Sequence, residues 1–250
     1  MQNLQTSPFV PRLNPDDYLH VFRWKEEEAL GRLEEIVCQH GYAQPEVAKG
    51  KYLYAPGSTP LLLVAHADTV FGNGRTKIEI LRGEDDMGAY LTSPQGLGAD
   101  DRAGIIGILH MLAHTAHRPS LLITLGEERG CIGAQAFAER HGSALAGSEL
   151  RYAVELDRRG DMQAVFYLNN QVREFTRFVT GYGFRHEIGS SSDITRLQEY
   201  GLCAVNRSVG YYGEHRTTER WYPRHLDNTL AALSRMLADA PVARRFRFEV

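Results

Sequence analysis

His66 and Asp68 stand two residues apart at the end of the unbroken apolar run Leu61-Leu62-Leu63-Val64-Ala65. Glu127 and Glu128 follow a second such run, SLLITLG at 120–126. Asp157 follows YAVEL, and His215 lies just past CAVNRSVGYYGE. Asp100 and Asp101 fall in GLGADDRAG, immediately before an apolar stretch that starts near Arg102. Imidazoles and carboxylates are the ordinary ligands of zinc in hydrolytic sites. Several carboxylates crowded together without cations repel one another and hold protons above their usual range. Arg102 and Arg129 offset part of that charge; one or two divalent cations offset it fully.

Each group also has a plainer meaning when taken alone. His66 with Asp68 reads as a surface loop pair, Asp100-Asp101 as a helix N-cap, and Glu127-Glu128 as a solvated acidic loop. Asp157, beside Arg158 and Arg159, reads as a salt-bridged strand end, and His215, near Glu214 and Arg216, as an exposed side chain. What separates the readings is whether the chain brings these residues together.

The elements around them argue that it does. Asn14-Pro15-Asp16 reads as a helix start, and Leu19, Phe22, Leu30, Leu33, Ile36 and Val37 keep helical spacing over 16–40 until Gly41. Residues 51–55 and 61–66 read as strands, and 76–92 as a hairpin around Gly83–Asp86. RAGIIGILHMLAHTAH at 102–117 reads as a buried helix and 120–126 as a strand. A helix over 132–141 is closed by Gly142. Strands follow at 152–156, 163–168 and 203–209, and helices at 174–181, 193–200 and 225–238. Continuous apolar strands alternating with helices predict an α/β three-layer sandwich, a mostly parallel sheet with helices on both faces. In such sheets, sites form beyond the carboxyl ends of the strands. The chemical residues all sit at such ends or at the start of the buried helix.

In chain order, H-x-D at 66–68, G-A-D-D-R-A-G at 98–104, G-E-E at 126–128, a strand-end Asp157 and G-x-H-x-x-x-E at 213–219 resemble the co-catalytic zinc peptidase clan. That clan includes peptidase T, the glutamate carboxypeptidase-type enzymes and the zinc aminopeptidases. The resemblance covers roughly residues 50 to 235. It implies that His66 and Asp157 bind one zinc, Glu128 and His215 a second, and that Asp100 bridges both. Cobalt or manganese would be substitutes. It makes Asp68 the carboxylate that orients the His66 ring, a role the spacing suits because residues on either side of Ala67 point the same way. Asp101 is then a structural partner, and Glu127 the general base. The clan's inserted lid has no room between Asp157 and His215, where a strand, two helices and another strand use up the chain. Residues 1–250 are therefore expected to form one catalytic domain, with 1–14 as an N-terminal arm.

The implied activity is hydrolysis of peptide or related amide bonds, on small peptides or acylated amino acids, as an aminopeptidase or small-peptide peptidase. Two rivals share the fold: a glutaminyl-cyclase-like acyltransferase with one zinc, and a silent binding module, which would have no use for Glu127. His110, His114 and His117 stand on an apolar helix without a HExxH-type acid and are read as structural. Ser190-Ser191-Ser192-Asp193, which resembles the clan's G-S-S-D stretch, either lines the substrate pocket or caps the helix that starts there, with the cap favoured. Tyr211 and Tyr212 are read as a pocket wall. A formal net charge of −3 gives no reason to expect nucleic acid or an anionic membrane as partner. No apolar run is long enough to cross a bilayer, and the N-terminus lacks the pattern of a secretory signal. Cys38, Cys131 and Cys203 are scattered, which predicts reduced thiols and a cytoplasmic setting. Oligomeric state is left open.

Overall fold

The computed structural model describes residues 10–72 and 77–249. The chain enters through short 3-10 turns at Pro15–Tyr18 and Val21–Arg23, then α1 (Glu26–Gln39). The single helix expected over 16–40 is thus broken. Trp24 and Lys25 are extended, and the Trp24 carbonyl accepts a hydrogen bond from Arg102 Nη2 at 3.2 Å. Phe22 packs edge-on against Trp221. These tertiary contacts override a periodicity that runs through the break. Of the expected arm, residues 1–9 lie outside the described residues. Beyond them, Leu13 N donates to Asp227 Oδ1 and Pro11 O accepts from His110 Nε2.

The strands and helices that follow are β1 (Glu46–Ala48), β2 (Tyr52–Ala55), β3 (Thr59–His66), β4 (Leu81–Asp85), β5 (Gly88–Thr92), α2 (Ala99–His114), β6 (Pro119–Thr124) and α3 (Ile132–Gly147). Then come β7 (Tyr152–Arg158), β8 (Gln163–Phe166), α4 (Arg173–Thr180), β9 (Arg185–Ile188), α5 (Asp193–Gln198), β10 (Ala204–Ser208), β11 (Tyr211–Tyr212), β12 (Arg220–Trp221) and α6 (Pro223–Asp239). The main sheet runs β1-β2-β6-β3-β7-β10-β8-β9. Its centre, β6-β3-β7-β10, is parallel, while β2 and β8 join antiparallel at either side. A second sheet, β11-β12-β5-β4, carries the expected hairpin as β4–β5. The first residue of that expected segment, at position 76, lies outside the described residues.

The layers follow from alternation along β3. Leu61, Leu63 and Ala65 join the apolar cluster that includes side chains of α1, α2, α4 and α6, whereas Leu62 and Val64 join the one formed with α3 and α5. Both faces are buried, which is why this strand is apolar without interruption. The short strands β1, β9, β11 and β12 have no such run and leave no comparable pattern. Gly142 does not stop α3, which continues to Gly147. A Cβ at Gly142 would lie 2.3 Å from the Tyr200 ring, so this glycine serves close packing instead.

Candidate metal centre

Because β3, β6 and β7 are parallel, their carboxyl ends share one edge of the sheet, and the start of α2 reaches the same edge. His66 closes β3 and pairs in register with Thr124, the last residue of β6. Asp157 is the penultimate residue of β7. Asp100 stands at the start of α2, Glu127 and Glu128 in the turn after β6, and His215 between β11 and β12.

These residues form two groups that share one member. His66, Asp100 and Asp157 make the first; Asp100, Glu128 and His215 make the second. Asp100 divides its oxygens between them. Oδ1 lies 3.2 Å from His66 Nε2, and Oδ2 lies 3.2 Å from His215 Nε2. Asp157 Oδ1 is 3.6 Å from His66 Nε2, and Glu128 Oε2 is 3.1 Å from His215 Nε2. Donor atoms around one tetrahedral zinc, at bond lengths of about 2.1 Å, stand roughly 3.4 Å apart. Glu128 Oε1 is buried and has no hydrogen-bond partner among the described residues. Spacing, donor chemistry and this orphaned oxygen all suit divalent cations.

The electrostatics point the same way. Burial pushes the Asp157 carboxyl well above its ordinary range, and Asp100 and Glu127 add repulsion. Burial and Asp100 raise Glu128 to about 7. Burial alone would lower the His66 imidazole, but Asp157, Asp100 and Asp68 hold it well above its usual value. His215 is raised to about 9, first by its hydrogen bond with Asp100.

Asp68 belongs to neither group. The His66 Nδ1–H donates to the Asp68 backbone carbonyl at 3.2 Å and stands 3.4 Å from its Oδ1. That leaves Nε2 to face Asp100 and Asp157. The Asp68 carboxylate also accepts the amides of Glu127 and Glu128, each at 3.3 Å. Burial would raise this carboxyl, yet His66 and the backbone amides bring it down to about 2. Asp68 therefore ties the end of β3 to the turn after β6.

Asp101 points elsewhere than Asp100. Its Oδ2 accepts the His66 amide at 3.2 Å and its Oδ1 the Gly104 amide at 2.9 Å. The second glycine of GADDRAG is needed for this. A Cβ on Gly104 would stand 1.9 Å from the Leu156 carbonyl and 2.5 Å from Asp101 Oδ2. Glu127 also belongs to neither cation group. It lines a cavity of about 210 Å3 together with Asp100, Asp157, Tyr211 and His215, and burial raises its carboxyl.

Two supports, Glu219 and Asn206, had no role assigned from the sequence, and Tyr211 was read only as a pocket wall. Glu219, fully buried, accepts the amides of Ala99 and Asp100 at 2.9 and 3.2 Å and so fixes the start of α2. Its signal was the final acid of G-x-H-x-x-x-E. Asn206 Oδ1 accepts the Asp157 amide at 3.0 Å, and the Tyr211 hydroxyl donates to Asp157 Oδ1 at 3.1 Å. Tyr211 faces the cavity as expected, while Tyr212 lines a hollow farther out. Of the two readings of the serine stretch, Ser191 and Ser192 line the cavity, whereas the favoured side-chain cap at Ser192 is not made. Its hydroxyl instead donates to the buried Glu155 Oε2 at 2.5 Å, and Asp193 accepts from Thr124 Oγ1. His110 is engaged by Pro11 and Tyr18, and His114 donates to the His110 carbonyl.

A parallel-centred mixed sheet with helices on both faces, and with acids and imidazoles gathered at its carboxyl edge, defines an α/β fold with a candidate cation site at that edge. The sequence itself matches the model of Peptidase family M28 over residues 50–206, more than half of the chain, and the chain belongs to that family. Membership supports a zinc peptidase. The fold is also that of solved peptidases. The aminopeptidase PepT from Bacillus cereus superposes with a TM-score of 0.68 at 16% identity, covering 90% of this chain and 97% of that one. A tripeptidase from Staphylococcus aureus gives 0.70 at 14% identity, covering 91% and 98%. A glutaminyl cyclase from Porphyromonas gingivalis gives 0.59 at 14%, covering 89% and 96%. No curated protein matches the sequence. No helix among the described residues is long and apolar enough to cross a membrane.

Proposed function

We propose that this chain is a single-domain hydrolase of peptide or related amide bonds that works with two divalent cations, zinc first among them. His66, Asp100 and Asp157 would hold one cation and Asp100, Glu128 and His215 the other. The observation that carries this reading is the division of Asp100, with one oxygen 3.2 Å from each imidazole. Cations in these positions, when bound, polarise a carbonyl and lower the pKa of water.

The chain's own residues do the rest. Glu127, in the cavity wall and outside both cation groups, takes a proton from the attacking water and delivers it to the leaving amine. Its raised proton affinity, caused first by burial, suits both halves of that transfer. Asp68 keeps the His66 ring in place and holds Glu127 by its amide. The cavity beside the acids, about 210 Å3, favours short peptides or acylated amino acids.

The test is Glu127→Ala in zinc-loaded protein. Bound metal and the folded state are expected to persist while turnover of a dipeptide and aminoacyl-amide panel falls by about 10²–10⁴-fold. Retained turnover overturns the assignment of the base. Metal content at saturation below about 1.5 equivalents per chain counts against the shared Asp100 site. The likeness to a glutaminyl cyclase keeps one-zinc acyl transfer as the rival, and a peptide beginning with glutamine in the same panel separates the two by its product.

A further inference from the structure

The strand that brings Asp157 to the site continues into Arg158 and Arg159, and both line the same cavity as Asp100, Glu127 and Asp157. Arg159 also lines the next hollow outward, about 520 Å3, with Tyr212, Glu214 and Arg216. Each of the two arginines is held by one carboxylate oxygen. Arg158 Nη2 meets Glu187 Oε2 at 2.9 Å, and Arg159 Nη1 meets Glu214 Oε1 at 2.9 Å. A guanidinium has five N–H donors, so most remain free to meet a ligand. Arg158 Nε is buried and has no partner among the described residues. Partly exposed pairs of this kind contribute little and exchange easily.

The same wall carries four acids, Asp100, Glu127, Asp157 and Glu214. Charge compensation for the cation ligands does not require arginines that face the cavity. The carboxylate partners of the two arginines, Glu187 and Glu214, also lie outside both cation groups. A planar guanidinium fork, in contrast, matches a carboxylate two oxygens at a time. The arginines follow Asp157 directly in the chain.

We propose that Arg158 and Arg159 bind the free carboxylate of the substrate. The favoured substrates are then those whose scissile amide lies next to a terminal carboxylate: dipeptides and N-acylated amino acids. This selects within the hydrolase reading and rests on it.

The experiment compares matched pairs in the zinc-loaded full chain: Ala-Ala against its C-terminal amide, and N-acetylalanine against N-acetylalaninamide. The expected wild-type preference for the free acid is about tenfold or more in kcat/KM, carried by KM, as a charge-assisted contact would give. Arg159→Gln and Arg158→Gln should each bring that ratio toward one, with Arg159→Lys recovering part of it. A wild-type ratio near one, or a ratio unmoved in both Gln variants, overturns the proposal. Should neither member of any pair be turned over, the hydrolase reading fails instead. Calorimetric titration then still decides the arginine site. Tighter binding of N-acetylalanine than of its amide, lost in Arg159→Gln, supports it, and equal binding overturns it.

Discussion

His66 and His215 approach opposite oxygens of Asp100 from very different surroundings. His66 ends a buried strand, is 1% exposed, and has its amide on Asp101 and its Nδ1 on Asp68. The His215 side chain is 52% exposed and sits on an irregular stretch with φ of +63°, a conformation His tolerates better than most residues. Glu128, its neighbour, comes from a turn rather than a strand. The first group is therefore organised by the sheet itself. The second depends on two connecting segments meeting, and Asp68 is the link that ties one of them to the first group.

The largest break in this comparison should come from the residue that both halves share. Asp100→Ala should take bound zinc from about two equivalents toward none and reduce turnover to background, read by metal analysis and peptide hydrolysis. One full equivalent left in place would show that the halves bind independently.

Next come the two histidines, in metal-free protein. His66→Ala leaves Asp68 and a buried space behind, and is expected to cost about 2–4 kcal/mol in urea unfolding. His215→Ala, at a half-exposed position where solvent screens its pairing with Asp100 and Glu128, should cost less, about 1 kcal/mol. Equal losses would remove the distinction between a sheet-built and a loop-built half.

Asp68→Asn tests the link. An amide cannot accept from His66 and two backbone amides with both of its end groups. Metal affinity is expected to fall about 10–100-fold, the usual range for a group that orients a ligand, measured by chelator competition. A loss confined to one equivalent would mean that Asp68 serves only His66.

The smallest effect is in pH. Asp193 and Glu219 are both raised to about 7, first by burial. In the unfolded chain they release protons near 3.8 and 4.5, the ordinary values. Between those values and about pH 7, the folded state holds protons that the unfolded state has lost, so stability falls as pH rises. His215, raised from 6.5 to about 9, extends the same trend, since its contribution is full below 6.5 and is lost toward 9. Below about 6.5 the histidines lowered by burial, His110 among them, act in the opposite sense, so the melting temperature of metal-free protein should decline from about pH 6.5 to pH 8. Stabilisation by added zinc should grow over the same interval as the ligands lose protons. A flat or rising metal-free profile contradicts these shifts.

Most of the central sheet could be read from the chain, because a strand buried on both faces has to be apolar throughout. β3, β6 and β7 announce themselves in this way, and so do the polar residues that end them. The break at Trp24–Lys25 could not be read, since helical spacing continues through it and the contacts with Arg102 and Trp221 that accompany it are tertiary. Gly142 misled for a similar reason. A glycine that admits a neighbouring ring looks the same in sequence as one that ends a helix. At the site, residue types and order marked His66, Asp100, Glu128, Asp157 and His215. Ser192 was misjudged because a helix-capping serine and one bonded to a buried acid differ only in their surroundings.

Local chemistry along the chain was enough to determined which residues are apolar, where each run ends, and which ionisable groups wait at those ends. It also carried the family's order of motifs. Tertiary structure alone decided that Asp100 turns one oxygen to each histidine, that Asp68 spans two segments, and that Glu219 holds the start of α2 from far along the chain. The reason is physical. Periodicity records whether a side chain meets oil or water, whereas a pairing between distant carboxylates and amides exists only once the sheet has set their distance and direction.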